Sequence, residues 1–181
     1  MMKSLILVAG LALLTSPVLA QEVEQAEDDL VLPPIVMSTQ YPDEEAVDPY
    51  EQSNAHAGAT PFEGSAMLDA FHGRAGIDRI VDGLVERSEA DPRTSAIFQA
   101  HDLVRLRRTL KEQFCYILNG GCDYTGRDMQ TAHRDIGLQA ADMGALVENL
   151  QLAMEAEGVP FRAQNRFLAK LAPMKRDVVT R

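Results

Sequence analysis

Apolar residues recur at helical spacing from residue 65 to the end of the 181-residue chain, and this pattern limits the fold more than any other feature. Side chains at i, i+3, i+4 and i+7 share one face of a helix, where they can pack against a core. The stripes are Ile77, Ile80, Val81, Leu84 and Val85; Leu103, Leu106, Leu110, Phe114, Ile117 and Leu118; Met143, Leu146, Val147, Leu150 and Met154; and Phe161, Phe167, Leu168 and Leu171. Because no segment alternates convincingly with period two, we predict an all-α domain over residues 65–181.

Residues 1–20 have the features of a secretory signal peptide. Lys3 precedes an apolar run from Leu5 to Leu14, which is too short to span a bilayer, and small residues follow up to Ala20. We predict cleavage after Ala20 and a mature protein without a membrane span that is periplasmic or secreted. An uncleaved N-terminal anchor is the alternative.

Residues 21–64 carry most of the excess negative charge. Eleven of the 27 acidic residues lie here, without any Lys or Arg, and the formal net charge of the chain is −10. The segment is dotted with prolines and poor in aromatic residues, so we predict a disordered acidic linker. Its charge argues against nucleic acid as a partner.

A short helix is predicted near residues 124–133. Thr125 is a candidate N-cap, with Asp128 three residues later. Met129 and His133 are four residues apart, so they project from one face of this helix and could lie against a flat, metal-bearing ligand. An ordinary surface or core histidine is the alternative reading of the same spacing.

Two cysteines, Cys115 and Cys122, are separated by seven residues. In an oxidising compartment they could form a disulfide that joins the second long helix to the loop before His133. Two free thiols are the alternative. No C-x-x-C-H motif is present, so covalent haem attachment of the c type is not indicated.

The order of these elements resembles the group I truncated haemoglobins, in an exported bacterial form. The residues that carry the resemblance are Ala75-Gly76-Ile77, Ala90-Asp91-Pro92-Arg93, Phe98, Gly120 to Met129, His133, Gly137-Leu138 and Gly158-Val159-Pro160. The resemblance covers about residues 66–178. It implies a two-over-two helical sandwich around haem b.

The resemblance also implies roles for individual residues. His133 would be the proximal ligand of the haem iron, which suits a neutral imidazole. Phe98 would pack on the porphyrin face and Met129 would lie below the ring on the proximal side. Further wall residues would be Phe114, Leu146 and Val147, and Tyr124 and Arg107 would reach the haem propionates.

The distal positions depart from the family pattern. Many group I members place a Tyr on the first long helix and a Gln on the next one to hold bound oxygen. The matching positions here are Val85 and Leu110, and the other distal position is Leu106. Since none of these side chains can donate a hydrogen bond, we predict an apolar distal pocket that favours carbon monoxide or nitric oxide over oxygen. A donor such as His101 could still swing into the pocket.

We therefore expect a haem-binding globin that binds a diatomic gas. The alternative is a periplasmic haem carrier, sensor or interaction module on the same fold. Nitric oxide dioxygenation is possible in principle, but no flavin domain is evident and turnover would need an external reductase, so whether the chain is an enzyme stays open.

Overall fold

The computed structural model describes residues 41–179, and these residues form a helical domain without β-strands. The predicted signal peptide and the first half of the predicted linker lie outside the described residues. The helices are α1 (Ala66–Ala70), α2 (Gly73–Ala90), α3 (Ser95–Gln99), α4 (Leu103–Ile117), α5 (Met129–Ala132), α6 (Ala140–Ala156), α7 (Phe161–Leu171) and α8 (Lys175–Val178). No helix in the described part of the chain is long and apolar enough to cross a membrane.

Helix α2 is the centre of the packing, because it contacts α3, α4 and α6. All five residues of its predicted stripe are buried, from Ile77 to Val85. Three phenylalanines extend this core. Phe167 of α7 makes edge-on contacts with Phe71 at 5.0 Å and with Phe114 at 4.9 Å between ring centroids. Such aromatic pairs add about 0.5–1.5 kcal/mol beyond the area they bury. The two pairs α2–α4 and α6–α7 form the two-over-two arrangement, which confirms the predicted fold class.

Helix α4 has a side-chain cap at its first turn and a residue of positive φ just after its end. The Asp102 side chain caps it by accepting hydrogen bonds from the backbone N–H groups of Val104 and Arg105. The chain leaves the helix through Asn119, which has a φ of 64°. Cys115 and Cys122 are joined by a disulfide, with 5.7 Å between their Cα atoms, so the first of the two alternatives for the cysteines applies. The disulfide ties the end of α4 to the loop that leads to α5.

The cap of α5 differs from the prediction. Asp128, not Thr125, is the N-cap, and its carboxylate accepts a hydrogen bond of 2.9 Å from the N–H of Thr131. Thr125 lies earlier in the loop, where its N–H and hydroxyl donate to Glu112. An Asp at this position competes well for the cap because its charge also complements the helix dipole.

Helices α6 and α7 contain the last two predicted stripes, joined by a turn at Gly158, which has a φ of 79°. The prediction was wrong for one residue of the α7 stripe, because Phe161 is 68% exposed at the first position of this helix. Pro173 closes α7, and a 3-10 turn, Ala172–Met174, leads into α8.

Residues 41–64 are not the disordered linker that their composition predicted. This segment lies against α4 and the loop before α5, and it includes a 3-10 turn, Asn54–Ala57, with Ala57 fully buried. Ala59 and Phe62 pack against the apolar core, and polar contacts add to this packing. The Glu44 side chain, which is 1% exposed, forms ion pairs with Arg105 and Arg108. Composition alone could not reveal these partners, because they lie about sixty residues further along the chain.

Candidate haem site

A cavity of about 400 Å³ lies between α3, α4, α5 and α6. This volume is within the range of pockets that hold small molecules and cofactors. Most of its wall is apolar. The apolar side chains that line it are Ile97, Phe98, Leu106, Leu110, Met129, Ile136, Leu138, Met143, Leu146 and Val178.

His133 lines this cavity directly after α5. Its Nδ1 atom is 2.7 Å from the carbonyl oxygen of Met129. A carbonyl can only accept, so Nδ1 carries the proton, and in the neutral ring Nε2 keeps its lone pair. Burial lowers the pKa of His133, more than the hydrogen bond to Met129 raises it. The ring is therefore neutral at pH 7, in the protonation state that a metal ligand requires.

Seven of the predicted site residues are brought together around the cavity. They are Phe98, Leu106, Leu110, Tyr124, Met129, His133 and Leu146. They come from four segments of the chain, and the fold brings side chains of α4 and of the α5 segment to the same cavity. The helix-face argument for Met129 and His133 therefore matches the structure, although His133 is the C-cap residue of α5 rather than a residue within it.

Four predicted residues do not line the cavity. Val85 is fully buried in the core on α2, and Phe114 packs against Phe167. Val147 is half-buried on α6 but is not part of the wall. The prediction that Arg107 reaches a propionate is not supported, because its guanidinium pairs with Asp82 and Glu89 of α2.

The structure also adds polar residues to the wall that the sequence reasoning did not assign there. They are Tyr50, Thr94, Arg105, Thr109, Gln113 and Arg127, among others. For Thr109 a signal existed, because it lies three residues after Leu106 and so shares its helix face. For Tyr50 there was none, since it lies in the segment that was predicted to be disordered.

Each hydroxyl that lines the cavity already donates to a backbone carbonyl. Tyr50 donates to Thr125 at 3.0 Å, Thr94 to Ser88 at 2.8 Å, Thr109 to Arg105 at 3.0 Å and Tyr124 to Arg127 at 2.9 Å. The Gln113 amide likewise donates to the carbonyl of Ala57 at 2.9 Å. Within residues 41–179, none of the lining hydroxyl protons is thus left to hold a ligand inside the cavity.

Tyr124 is fixed from several sides. It is 5% exposed, and burial is the main cause that raises the pKa of its phenol. Its N–H donates to the Asn54 side chain at 2.7 Å. A Cβ atom at Gly126 would lie 2.2 Å from the Tyr124 hydroxyl oxygen, so only glycine fits there. Tyr124 is therefore a rigid part of the wall, and its hydroxyl proton is not directed to a propionate.

These residues fit haem. The cavity has the apolar lining that a porphyrin needs, the neutral and largely buried imidazole of His133 for the iron, and the half-buried Arg105 and Arg127 in the wall for carboxylates. In the described residues, no group of three or more His, Cys, Asp or Glu side chains could hold a bare metal ion. One histidine suffices for a metal that a macrocycle already holds. The fold and the cavity thus define a helical haem-pocket protein.

Comparison with known proteins gives the family. A sequence model described as bacterial-like globin matches residues 66–180. The chain therefore belongs to the bacterial-like globin family, and haem iron is the cofactor of this family.

Individual relatives agree with this assignment. The chain is 27% identical over 118 residues to a group 1 truncated haemoglobin of Mycolicibacterium paratuberculosis, covering 65% of this chain and 87% of the relative. It is 27% identical over 117 residues to one from a Nostoc species, covering 65% and 99%. The crystal structure of truncated haemoglobin from Tetrahymena pyriformis matches with a TM-score of 0.61 at 21% identity, covering 64% of this chain and 98% of that one. The 2/2 haemoglobin of a Synechococcus species matches with a TM-score of 0.59 at 24% identity, with coverage of 64% and 98%.

Proposed function

We propose that this globin holds haem b through His133 and binds a diatomic gas at the haem iron. The observation that carries the proposal is the His133 imidazole in the apolar cavity, with Nδ1 bonded to the Met129 carbonyl. That bond selects the tautomer whose free nitrogen can bind iron. When bound, haem supplies an iron centre with an open position for a small gas molecule.

The protein's own residues orient the His133 ring and surround it with apolar side chains. The Met129 carbonyl fixes the rotation of the imidazole, as outer-shell partners of metal-binding histidines commonly do. Phe98 and Leu146 add apolar wall, and desolvation by such a wall keeps His133 neutral.

We further propose that the gas is held without a hydrogen bond from the distal wall. Leu106 and Leu110 line the cavity, and Val85 is buried in the core on α2. The hydroxyls of the wall already have acceptors, which supports this reading. Oxygen gains more than carbon monoxide from a donor, so the ratio of carbon monoxide to oxygen affinity should be high. A low ratio, with slow oxygen release from the ferrous protein, would contradict the apolar reading.

We also propose that the protein is exported, as residues 1–20 suggest. The disulfide between Cys115 and Cys122 supports this, because disulfides persist in oxidising compartments. The mass of the protein recovered from the periplasm or medium tests it. A mass that retains residues 1–20 would contradict cleavage.

The visible spectrum of the haem-reconstituted protein tests the role of His133. His133→Ala should lose or change the Soret band and release haem faster. His101→Ala is the matched control, since His101 also lines the cavity but is exposed. If His101→Ala changed the spectrum and His133→Ala did not, the assignment of the ligand would be wrong.

A further inference from the structure

Residues 41–57, here called the strap, precede the part of the chain that matches the globin family, residues 66–180. The strap nevertheless contributes to the wall of the haem cavity, because Glu45 and Tyr50 line it. Family membership therefore does not account for this wall. Whatever the strap adds to haem binding therefore comes from outside the residues that the family model matches.

Tyr50 connects the strap to the loop before α5. Its hydroxyl donates to the carbonyl of Thr125 at 3.0 Å. The guanidinium carbon of Arg127 lies 5.0 Å from the centroid of the Tyr50 ring, which is a cation–π distance. An Nη atom of Arg127 also lies 3.4 Å from the carbonyl oxygen of Asp48. The strap thus holds Arg127 from two sides while Arg127 remains in the cavity wall.

The strap also changes which cations are available at this side of the cavity. Glu44 forms ion pairs with both Arg105 and Arg108, so it offsets charge on two guanidiniums. Arg105 additionally donates to the carbonyl of Glu45. By contrast, among residues 41–179 Arg127 has no carboxylate within ion-pair distance. Of the two arginines that line the cavity, Arg105 therefore has a carboxylate partner among the described residues and Arg127 does not.

We propose that the strap is part of the haem site and that Arg127, positioned by Tyr50, binds a haem propionate. This inference rests on the proposed function, since it needs haem in the cavity. A carboxylate is the chemical group that pairs best with the guanidinium of Arg127, because guanidinium and carboxylate can share two parallel hydrogen bonds. A half-buried pair is also less screened by salt than an exposed one.

The rate of haem release to an excess of an apo-haem acceptor tests the proposal, using the full mature chain loaded with haem b. Arg127→Gln should release haem about ten-fold faster, since a hydrogen bond between charged groups contributes about 1.5–3 kcal/mol. Tyr50→Ala should accelerate release about five-fold, because Arg127 loses its cation–π partner. Tyr50→Phe keeps the ring but loses the bond to the Thr125 carbonyl, so its release rate should lie between those of the wild type and Tyr50→Ala.

Haem dimethyl ester separates charge recognition from structural damage, because its propionates carry no charge. With this ligand the difference between Arg127→Gln and the wild type should disappear. Arg79→Gln is the matched control for loss of an arginine, since Arg79 pairs with Glu157 away from the cavity. It should release haem at the wild-type rate.

Two outcomes would overturn the inference. One is wild-type release rates in both Arg127→Gln and Tyr50→Ala. The other is the same acceleration in Arg127→Gln with haem and with its dimethyl ester, which would mean that Arg127 only supports the fold. A wild-type chain that takes up no haem would instead overturn the proposed function itself, and this inference with it.

Discussion

Replacing Leu110 by Gln should slow the release of oxygen from the ferrous protein. Leu110 lies on α4 and lines the cavity, half-buried, on the wall that contains Leu106. Gln is similar to Leu in volume, although it is one heavy atom longer, so the change adds a donor without leaving a large void. The neighbouring hydroxyl of Thr109 cannot supply this donor, because it is bonded to the Arg105 carbonyl.

The size of the effect follows from the strength of one new hydrogen bond. A bond to a charged or strongly polarised acceptor contributes about 1.5–3 kcal/mol, or roughly ten- to 150-fold in a rate constant. Because position 110 is only half-buried, the amide gives up some water to make the bond. We therefore expect the lower end, an oxygen dissociation rate about ten-fold slower.

Stopped-flow displacement of oxygen by carbon monoxide measures this rate directly. Leu110→Met is the matched control, since Met has the length of Gln and the apolarity of Leu but offers no donor, and it should leave the rate unchanged. The reasoning would be refuted if the wild type already released oxygen as slowly as Leu110→Gln, because a donor would then exist in the native wall.

Three further predictions concern the elements around the site. Glu44→Gln should destabilise the folded chain by about 3 kcal/mol in urea unfolding, because two guanidiniums lose a buried partner. Burial alone would raise the pKa of Glu44, but hydrogen bonds from both arginines outweigh it and lower the pKa. Its stabilisation is therefore present above the unfolded pKa of about 4.3 and lost as pH falls through the lower folded value, and Glu44→Gln should remove that part of the acid dependence. Cys122→Ser should lower stability by about 2 kcal/mol, in line with the short loop that the disulfide closes; equal stability of the wild type with and without reductant would contradict this. Asp128→Ala should cost about 1 kcal/mol through loss of the α5 cap, whereas Thr125→Ala would show the larger loss if the original cap prediction were right.

The long helices were predictable because burial alone specifies them. Each residue of the α2 stripe is buried, and Met129 and His133 lie in the same cavity wall, as their spacing indicated. Periodicity works here because one apolar face meets one core, and nothing distant in sequence has to be known.

The strap and the arginines were not predictable in this way. Glu44 lies in an acidic, proline-rich segment whose composition is typical of disorder, and its partners Arg105 and Arg108 are about sixty residues away. Arg105 and Arg107 are two residues apart on α4, yet only Arg105 lines the cavity. Arg107 turns instead to Asp82 and Glu89 of α2. The direction of a long charged side chain depends on the partners that it binds, and these partners are known only from the tertiary structure.

The central claim is that His133 binds the haem iron through its free ring nitrogen. The direct test is His133→Gly, loaded with haem b, with and without added imidazole. Removing the side chain leaves space for free imidazole next to the Met129 carbonyl. We predict that the variant loses the wild-type Soret spectrum and carbon monoxide complex, and that imidazole restores both. A wild-type spectrum in His133→Gly without imidazole would contradict the claim.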